Sequence, residues 1–166
     1  MTKSSSDASD VELSAEVEAR LRALEERVAD ELVDDPRSAI RTARELYRSC
    51  IAASALERAA AAIVLIAIAH GRSGFPMRAL RVLALATTRA PEWHVPHCEI
   101  AAQHELLADR ARARGGPEQA RQHYLAAAKS HRRARDLLSV RGDLEGAADE
   151  EAREKWCLDE VASLDA

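Results

Sequence analysis

The chain has 166 residues, of which 47% are apolar and only 3% aromatic, and its formal net charge is −4. This length suits one domain with its own core, and the negative charge offers no general attraction to nucleic acid. Three scattered cysteines are too few for a disulfide framework, and the longest apolar run, Ala59–Ala69, is far shorter than the roughly 20 residues that a membrane span needs.

Residues 1–10 are polar and rich in serine, and we expect them to form a disordered tail without a secretory signal. The expected location is therefore cytoplasmic, without contact to a membrane. A helical domain is predicted to fill residues 11–166. Its first helix is marked by apolar residues at steps of three and four, and these are Leu13, Val17, Leu21, Leu24, Val28 and Leu32.

Breaks rich in Gly, Asp and Pro divide the remaining chain into six further helices. Asp34-Asp35-Pro36 ends the first helix and begins the second, which is expected to run to about Ala53. Ser54 is the predicted N-cap of a third helix, which is apolar on nearly all sides. The fourth helix follows Pro76, the fifth covers about 92–114, the sixth ends near 140 and the seventh near 164. No segment alternates in hydrophobicity as a strand would.

Four of the breaks stand at a fixed distance from a small residue. Asp34, Gly74, Gly115 and Gly142 each lie five residues before an alanine, and those alanines are Ala39, Ala79, Ala120 and Ala147. Intervals of 40 and 41 residues separate the first three breaks, which is the length of a helical hairpin in a solenoid array. We therefore predict that these alanines lie where helices meet.

Residues 60–93 resemble a tetratricopeptide repeat (TPR). Ile66-Ala67 stands where that family has a Leu-Gly pair, and the other matches are Gly74 at the turn, Ala79 and Ala86 at small positions, Leu83 at an aromatic position and Pro91 at the end. Residues 94–130 repeat the pattern with seven inserted residues, through Ile100-Ala101, Gly115, Ala120, Tyr124 and Ala127. The resemblance implies an all-α fold of TPR-like antiparallel helical hairpins, in a short right-handed superhelical array of about seven helices.

In TPR proteins the first helices of the hairpins line a concave groove for a partner. The resemblance thus implies a protein–protein interaction module, an adaptor or scaffold, rather than an enzyme. The implied groove residues are Val64, Ile68, Arg72, Val95, Cys98, Ala102 and Glu105, with Leu21, Leu24, Val28 and Leu32 from the first unit. The occupant is open: a helix of another protein, a second copy of this chain, or the last helix of the chain through Trp156, Leu158, Val161 and Leu164. Alternatively, these residues are ordinary core.

The charge pattern suggests an alternative function. The segment from Arg110 to Arg141 contains nine basic and two acidic residues, and the segment from Gly142 to Ala166 contains nine acidic and two basic residues. A regulatory protein could contact nucleic acid through the basic helix at 110–135, using Arg110, Arg112, Arg114, Arg121, Arg132, Arg133 and Arg135. We favour a second interpretation, in which the sixth and seventh helices are antiparallel neighbours with opposite charges, and nucleic acid is then no partner.

The metal-binding and catalytic motifs that the sequence resembles are incomplete. His94, His97, Cys98 and His104 lie close in sequence, but His97 and His104 are two helical turns apart, about 10 Å, which is too far to chelate one ion unaided. In His104-Glu105-Leu106-Leu107-Ala108 the second histidine of a zinc-protease motif is absent. Cys50, Cys98 and Cys157 fit buried structural thiols inside helices. We therefore predict no catalytic residue, no metal ligand and no cofactor.

Overall fold

The computed structural model describes residues 13–164, so the predicted tail at 1–10 lies outside the described residues. Within that range the chain forms seven helices and no strand, which confirms the all-α prediction. The helices are α1 (Ala15–Asp34), α2 (Pro36–Ala52), α3 (Leu56–Arg72), α4 (Pro76–Arg89), α5 (Val95–Ala113), α6 (Pro117–Val140) and α7 (Leu144–Ser163). None of them combines the length and the apolar character that crossing a bilayer requires.

Side-chain caps begin several of the helices. The Asp35 carboxylate accepts a hydrogen bond from the Ser38 amide at 3.1 Å, with Pro36 in the first turn, and Asp143 accepts one from the Gly146 amide at 2.9 Å. Such caps satisfy amides that have no partner inside the helix. The prediction that Ser54 caps α3 is wrong, because α3 follows Ala55 and has no side-chain cap.

Ser54 instead belongs to a turn that occurs four times between residues 13 and 164. In each case one residue with positive φ follows the helix, and the next amide donates to the carbonyl five residues earlier, as in the Schellman motif. The four positive-φ residues are Ser54 (56°), Gly74 (87°), Gly115 (74°) and Gly142 (78°). The hydrogen bonds are Ala55 to Cys50, Phe75 to His70, Gly116 to Ala111 and Asp143 to Leu138.

Each helix packs against the next one along the chain, and α3 also contacts α1 and α5. The alanines at the matched offsets lie at these contacts: Ala39, Ala79 and Ala120 are fully buried and Ala147 is 7% exposed. The prediction that they sit where helices meet is therefore confirmed. With no side chain beyond Cβ, they let neighbouring helices approach closely.

The N-terminal region, α1 to α4, has an apolar core. One face of α1 is buried through Leu21, Leu24, Val28 and Leu32, and each such side chain contributes roughly 1.5–3 kcal/mol through burial. A further cluster joins α3 and α4 and consists of Ile63, Val64, Ala67, Ala79, Leu83 and Ala86. Helix α3 lies at the centre, as its apolar composition predicts.

The C-terminal region, α5 to α7, has a different core. Its apolar clusters are small and rich in alanine, and the largest apolar member is Tyr124, 1% exposed. Polar side chains fill the remaining interior: His131 is fully buried, and Glu150 and Glu154 are 8% and 6% exposed.

The two regions meet where α5 packs against α4 and also crosses α3. At this point Gly71 is buried in α3, and a Cβ atom added to it would lie 2.5 Å from Oε1 and 2.7 Å from Nε2 of Gln103 in α5. Real Cβ atoms do not approach other atoms so closely, so an alanine at this position would displace the end of the Gln103 side chain.

Candidate functional site

The structure places part of the predicted groove in the core. Val64 is 3% exposed and packs with Ala79 and Leu83, while Ile68 and Val95 are partly buried against the same cluster. Leu21, Leu24, Val28 and Leu32 are also buried, so a partner protein cannot reach these side chains. Arg72 remains exposed and donates to the Leu32 carbonyl at 3.0 Å.

The other predicted groove residues lie on α5, which α7 partly covers. Cys98 and Glu105 face side chains of α7, and Ala102 lies between them, partly buried. The covering helix uses Glu150 and Cys157 for this contact. Val161 and Leu164 pack on the cluster around Tyr124, whereas Trp156 and Leu158 remain 44% and 40% exposed.

Most arginines of the predicted basic patch contact other parts of the chain. Arg132 and Arg135 of α6 both bind Glu154 of α7, at 2.7 and 2.9 Å, and Arg112 of α5 binds Glu160. Arg110 and Arg114 donate to main-chain carbonyls and Arg121 lies near Glu118, while Arg133 is exposed beside His97. The contacts between α6 and α7 are those of antiparallel neighbours with opposite charges.

An open cleft of about 520 Å³ lies between the start of α3, the loop before α5 and the end of α6. We call it the Trp93 cleft. Its apolar walls are Ala60, Ala61, Pro91 and Trp93, and its rim carries Glu57, Arg58, Glu92 and Arg141. Because alanines stand on α3 where larger side chains would fill the space, the cleft is a consequence of their small size.

Arg58 and Arg141 hold the rim of this cleft in place. Arg58 binds Glu25 through two hydrogen bonds of 2.8 Å and Glu18 through a third, and Arg141 donates to the Glu92 carbonyl at 2.9 Å. The carboxylates of Glu57 and Glu92 lie on exposed residues. The rim therefore presents two exposed carboxylates to a ligand, beside the guanidinium of Arg141.

A second feature is a chain of hydrogen bonds inside the C-terminal region, which we call the buried network. Its centre is His131, whose Nδ1 lies 2.6 Å from Glu150 Oε2 and whose Nε2 lies 2.7 Å from Glu105 Oε1. Each carboxylate also accepts a hydrogen bond from a thiol: Cys98 donates to Glu150 at 3.4 Å, and Cys157 to Glu105 at 3.7 Å.

The network is built with an internal symmetry. Helix α5 carries Cys98 and then Glu105, and helix α7 carries Glu150 and then Cys157, with the same seven-residue interval. Since Cys98 meets Glu150 and Glu105 meets Cys157, the two helices run in the same direction on either side of His131. Each ring nitrogen thus faces one carboxylate.

Burial and hydrogen bonding together set the protonation of these groups. Burial alone would lower the pKa of His131, but hydrogen bonds with Cys157, Glu105 and Glu150 raise it to about 11. Burial would raise the pKa of Glu150, but the bond from His131 holds it below its usual range. Burial and the nearby Glu150 raise the pKa of Cys98 to about 12, and burial also raises that of Cys157. At neutral pH an imidazolium therefore lies between two carboxylates, with both thiols protonated.

No model of a known protein family matches this chain, and no curated protein matches it.

The structure does not gather the histidines and the cysteine that lie close in sequence between His94 and His104. Cys98 faces Glu150, while His104 Nδ1 lies 3.2 Å from His123 Nδ1. Burial, and for His104 also its partner, lowers the pKa of both histidines, so the pair is neutral at neutral pH. Among residues 13–164 the side chains placed to hold a metal ion together are Glu105, His131 and Cys157.

Sequence reasoning found Cys98 and Glu105 but assigned them to a groove, and it missed His131 and Glu150. Glu105 lies 26 residues before His131, and Glu150 and Cys157 lie 19 and 26 residues after it, so no local motif contains the site. The mirrored pairs at seven-residue intervals were the available signal.

Proposed function

We propose that this chain is a non-catalytic interaction module, TPR-like in its arrangement and cytoplasmic, which binds a peptide segment of another protein in the Trp93 cleft. The main support for this proposal is the cleft itself, where small residues of α3 leave about 520 Å³ open beside the ring of Trp93. A binding function also fits the reactive groups, because His131 and Cys157 are fully buried and out of reach of a substrate.

The chemistry of the cleft defines the segment that it fits. Ala60, Ala61, Pro91 and Trp93 offer an apolar surface for one large apolar side chain. The exposed Glu57 and Glu92 at the rim favour basic neighbours in the ligand. The proposed partner therefore presents an apolar anchor flanked by Lys or Arg, and Trp93 gives a specific aromatic contact with that anchor.

Selection from a displayed peptide library tests this proposal, because it does not require the partner to be identified first. The blocking variant is Ala61→Arg, which places a long side chain in the cleft. The matched control is Ala52→Arg, the same change in a second open cleft, of about 550 Å³, between α1 and α2. In a Trp156→Phe background, Trp93 alone reports peptide binding through its fluorescence.

We expect wild type and Ala52→Arg to select basic peptides with one apolar anchor and to show the same Trp93 response. Ala61→Arg should lose at least about tenfold in affinity, because the anchor loses its place, which corresponds to about 1.4 kcal/mol. Equal binding to Ala61→Arg and wild type would contradict the proposal. Polyanion binding that weakens steeply with salt would instead favour the nucleic-acid alternative.

A further inference from the structure

Three side chains that can bind a metal ion converge from three helices in the buried network. Single ligand atoms of Glu105 (α5), His131 (α6) and Cys157 (α7) all lie within 4.8 Å of one another. The carboxylate oxygen is 2.7 Å from His131 Nε2 and 3.7 Å from Cys157 Sγ. Carboxylate, imidazole and thiolate are the three ligand types that zinc uses in proteins.

The spacing is close to that of a tetrahedral zinc site. Bonds of about 2.0 Å to nitrogen or oxygen and about 2.3 Å to sulfur place neighbouring ligand atoms about 3.3–3.6 Å apart. The sulfur-to-oxygen distance of 3.7 Å already fits, and the nitrogen-to-oxygen distance must widen by roughly 0.6 Å to reach that spacing. The nitrogen of His131 and the sulfur of Cys157 lie within 4.8 Å of each other and must come to about 3.5 Å. The site therefore requires side-chain rotations of both Glu105 and Cys157.

Glu150 supplies the feature that accompanies most histidine ligands. A histidine that binds metal through one ring nitrogen commonly donates the other N–H to a carboxylate, which fixes the ring and its tautomer. His131 Nδ1 lies 2.6 Å from Glu150 Oε2, and the ring is fully buried between α5 and α7. Nε2 is then the nitrogen that points toward Glu105 and Cys157.

We propose that Glu105, His131 and Cys157 form a centre for a divalent transition metal, with Zn²⁺ as the ion that best fits the donor set. The ion joins α5, α6 and α7 through one residue each and leaves a fourth position for water. Access is from the side of Glu105, whose side chain is 22% exposed, since His131 is closed to solvent. The proposal does not depend on peptide binding in the Trp93 cleft.

Binding replaces two protons by the metal. Zn²⁺ takes the Nε2 lone pair after the imidazolium loses its proton, and it takes the sulfur after the thiol loses its proton, so two H⁺ leave as the ion enters. The two carboxylates keep their charge and no redox partner is needed. The total charge of the buried network is therefore the same before and after binding, so no additional charge is buried. Metal binding with proton release is the general behaviour of such sites.

Cobalt titration of the purified, chelator-treated full chain tests the proposal, because Co²⁺ bound to a thiolate gives a charge-transfer absorption that carboxylates and imidazoles do not give. Cys157→Ser removes the proposed sulfur ligand. Cys98→Ser is the matched control, because Cys98 is also bonded to a network carboxylate but lies on the Nδ1 side of His131. Circular dichroism establishes that each variant is folded.

We expect one Co²⁺ per chain with a thiolate band in wild type and Cys98→Ser, displaced by Zn²⁺. Cys157→Ser should lose the band and at least about 100-fold in affinity, and Glu150→Gln, which alters an outer partner, about 10–100-fold. Zn²⁺ should raise the melting temperature of wild type and Cys98→Ser but not of Cys157→Ser. If wild type shows no thiolate band, or if the band survives in Cys157→Ser, the proposal is overturned. The wild-type spectrum decides even if a variant fails to fold.

Discussion

The N-terminal and C-terminal regions share one architecture and fill their interiors in opposite ways. In α1 to α4, leucines, isoleucines and valines pack around α3, and the clusters are apolar throughout. In α5 to α7, alanine clusters leave a space that is occupied by an imidazolium, two carboxylates and two thiols. Both regions use the same turn after a helix and the same fully buried alanine at the helix contact.

Small residues at the contacts therefore determine how these helices stack. The space beyond the contacts can be filled either by apolar side chains or by a hydrogen-bonded network of charged groups. A buried ion network is not a strong source of net stability, since removing charges from water is costly. Its directional bonds do restrict register: a shift of α7 by one turn along α5 would separate Cys98 from Glu150 and Cys157 from Glu105. The apolar packing in α1 to α4 imposes no such directional requirement, and there the directed bonds of Arg58 with Glu25 and Glu18 lie outside the core.

The largest loss of stability is expected at the buried alanines, which both regions have at their helix contacts. Ala79→Arg and Ala120→Arg, one in each region, should each lower the free energy of unfolding by about 4 kcal/mol or more, because a long charged side chain must enter a closed contact. Chemical denaturation measures the loss. Ala52→Arg at an exposed site should change stability by no more than about 0.5 kcal/mol. Wild-type melting in either buried variant would show that the two regions do not stack in the same way.

Removal of the central histidine should affect the C-terminal region alone. His131→Leu leaves two buried carboxylates without their cation, and we expect a loss of about 3–4 kcal/mol. A triple variant that adds Glu105→Gln and Glu150→Gln to His131→Leu has no buried carboxylate at these positions, and it should recover part of the lost free energy of unfolding. Fluorescence of Trp156, which lies edge-on to Tyr124 at 5.7 Å, reports this region, and Trp93 reports the apolar cluster that it packs against. Loss of the Trp93 signal before that of Trp156 would contradict the assignment.

The two cores should also differ in their response to pH. The folded-state pKa of His131, about 11, lies above the value of about 6.5 in an unfolded chain. Its contribution is therefore complete below pH 6.5 and is lost as the pH rises toward 11. Between pH 6.5 and 8.5, before the thiols of the unfolded chain titrate, wild type should lose about 2 kcal/mol relative to His131→Leu. Denaturation of both proteins at both pH values, with a chelator present, measures this difference. If the free energy of unfolding changes with pH equally in wild type and His131→Leu, His131 is neutral in the folded chain.

The smallest effect concerns the turn after a helix. Ser54 adopts a φ of 56° where the other three turns have glycine, and a side chain in this conformation costs roughly 1 kcal/mol. Ser54→Gly should therefore stabilise the N-terminal region by about 0.5–1 kcal/mol. Gly115→Ser, the reverse change in the C-terminal region, should destabilise by a similar amount, since no atom near Gly115 obstructs a side chain there. Two effects of the same sign would show that the turns are not equivalent.

The sequence predicted the helices well because their signals are local. Apolar steps of three and four marked α1, and breaks that contain Gly, Asp or Pro marked the ends of most others. The errors have local causes as well. Serine commonly caps helices, which favoured a cap at Ser54, whereas the positive φ of this residue has no signature in a serine. Helix α5 was predicted to begin near Glu92, but it begins at Val95, after a turn through Pro91 and Trp93.

The candidate sites were less predictable because they depend on which helices become neighbours. Cys98 and His104 are close in sequence, yet α5 presents them to different partners, Glu150 and His123. The buried network needs α7 to run parallel to α5 across α6, which composition does not reveal. The Trp93 cleft depends on Arg141, which lies 49 residues from its partner Glu92.

The contact of Gly71 with Gln103 joins the two regions through a side chain. At this crossing α3 has no Cβ atom, and the end of the Gln103 side chain of α5 occupies the space that a Cβ would take. An alanine at this position would displace the Gln103 amide, whose Oε1 is buried without a hydrogen-bond partner among the described residues. The glutamine side chain, rather than the backbone of either helix, is therefore the part of this contact that adjusts to a substitution.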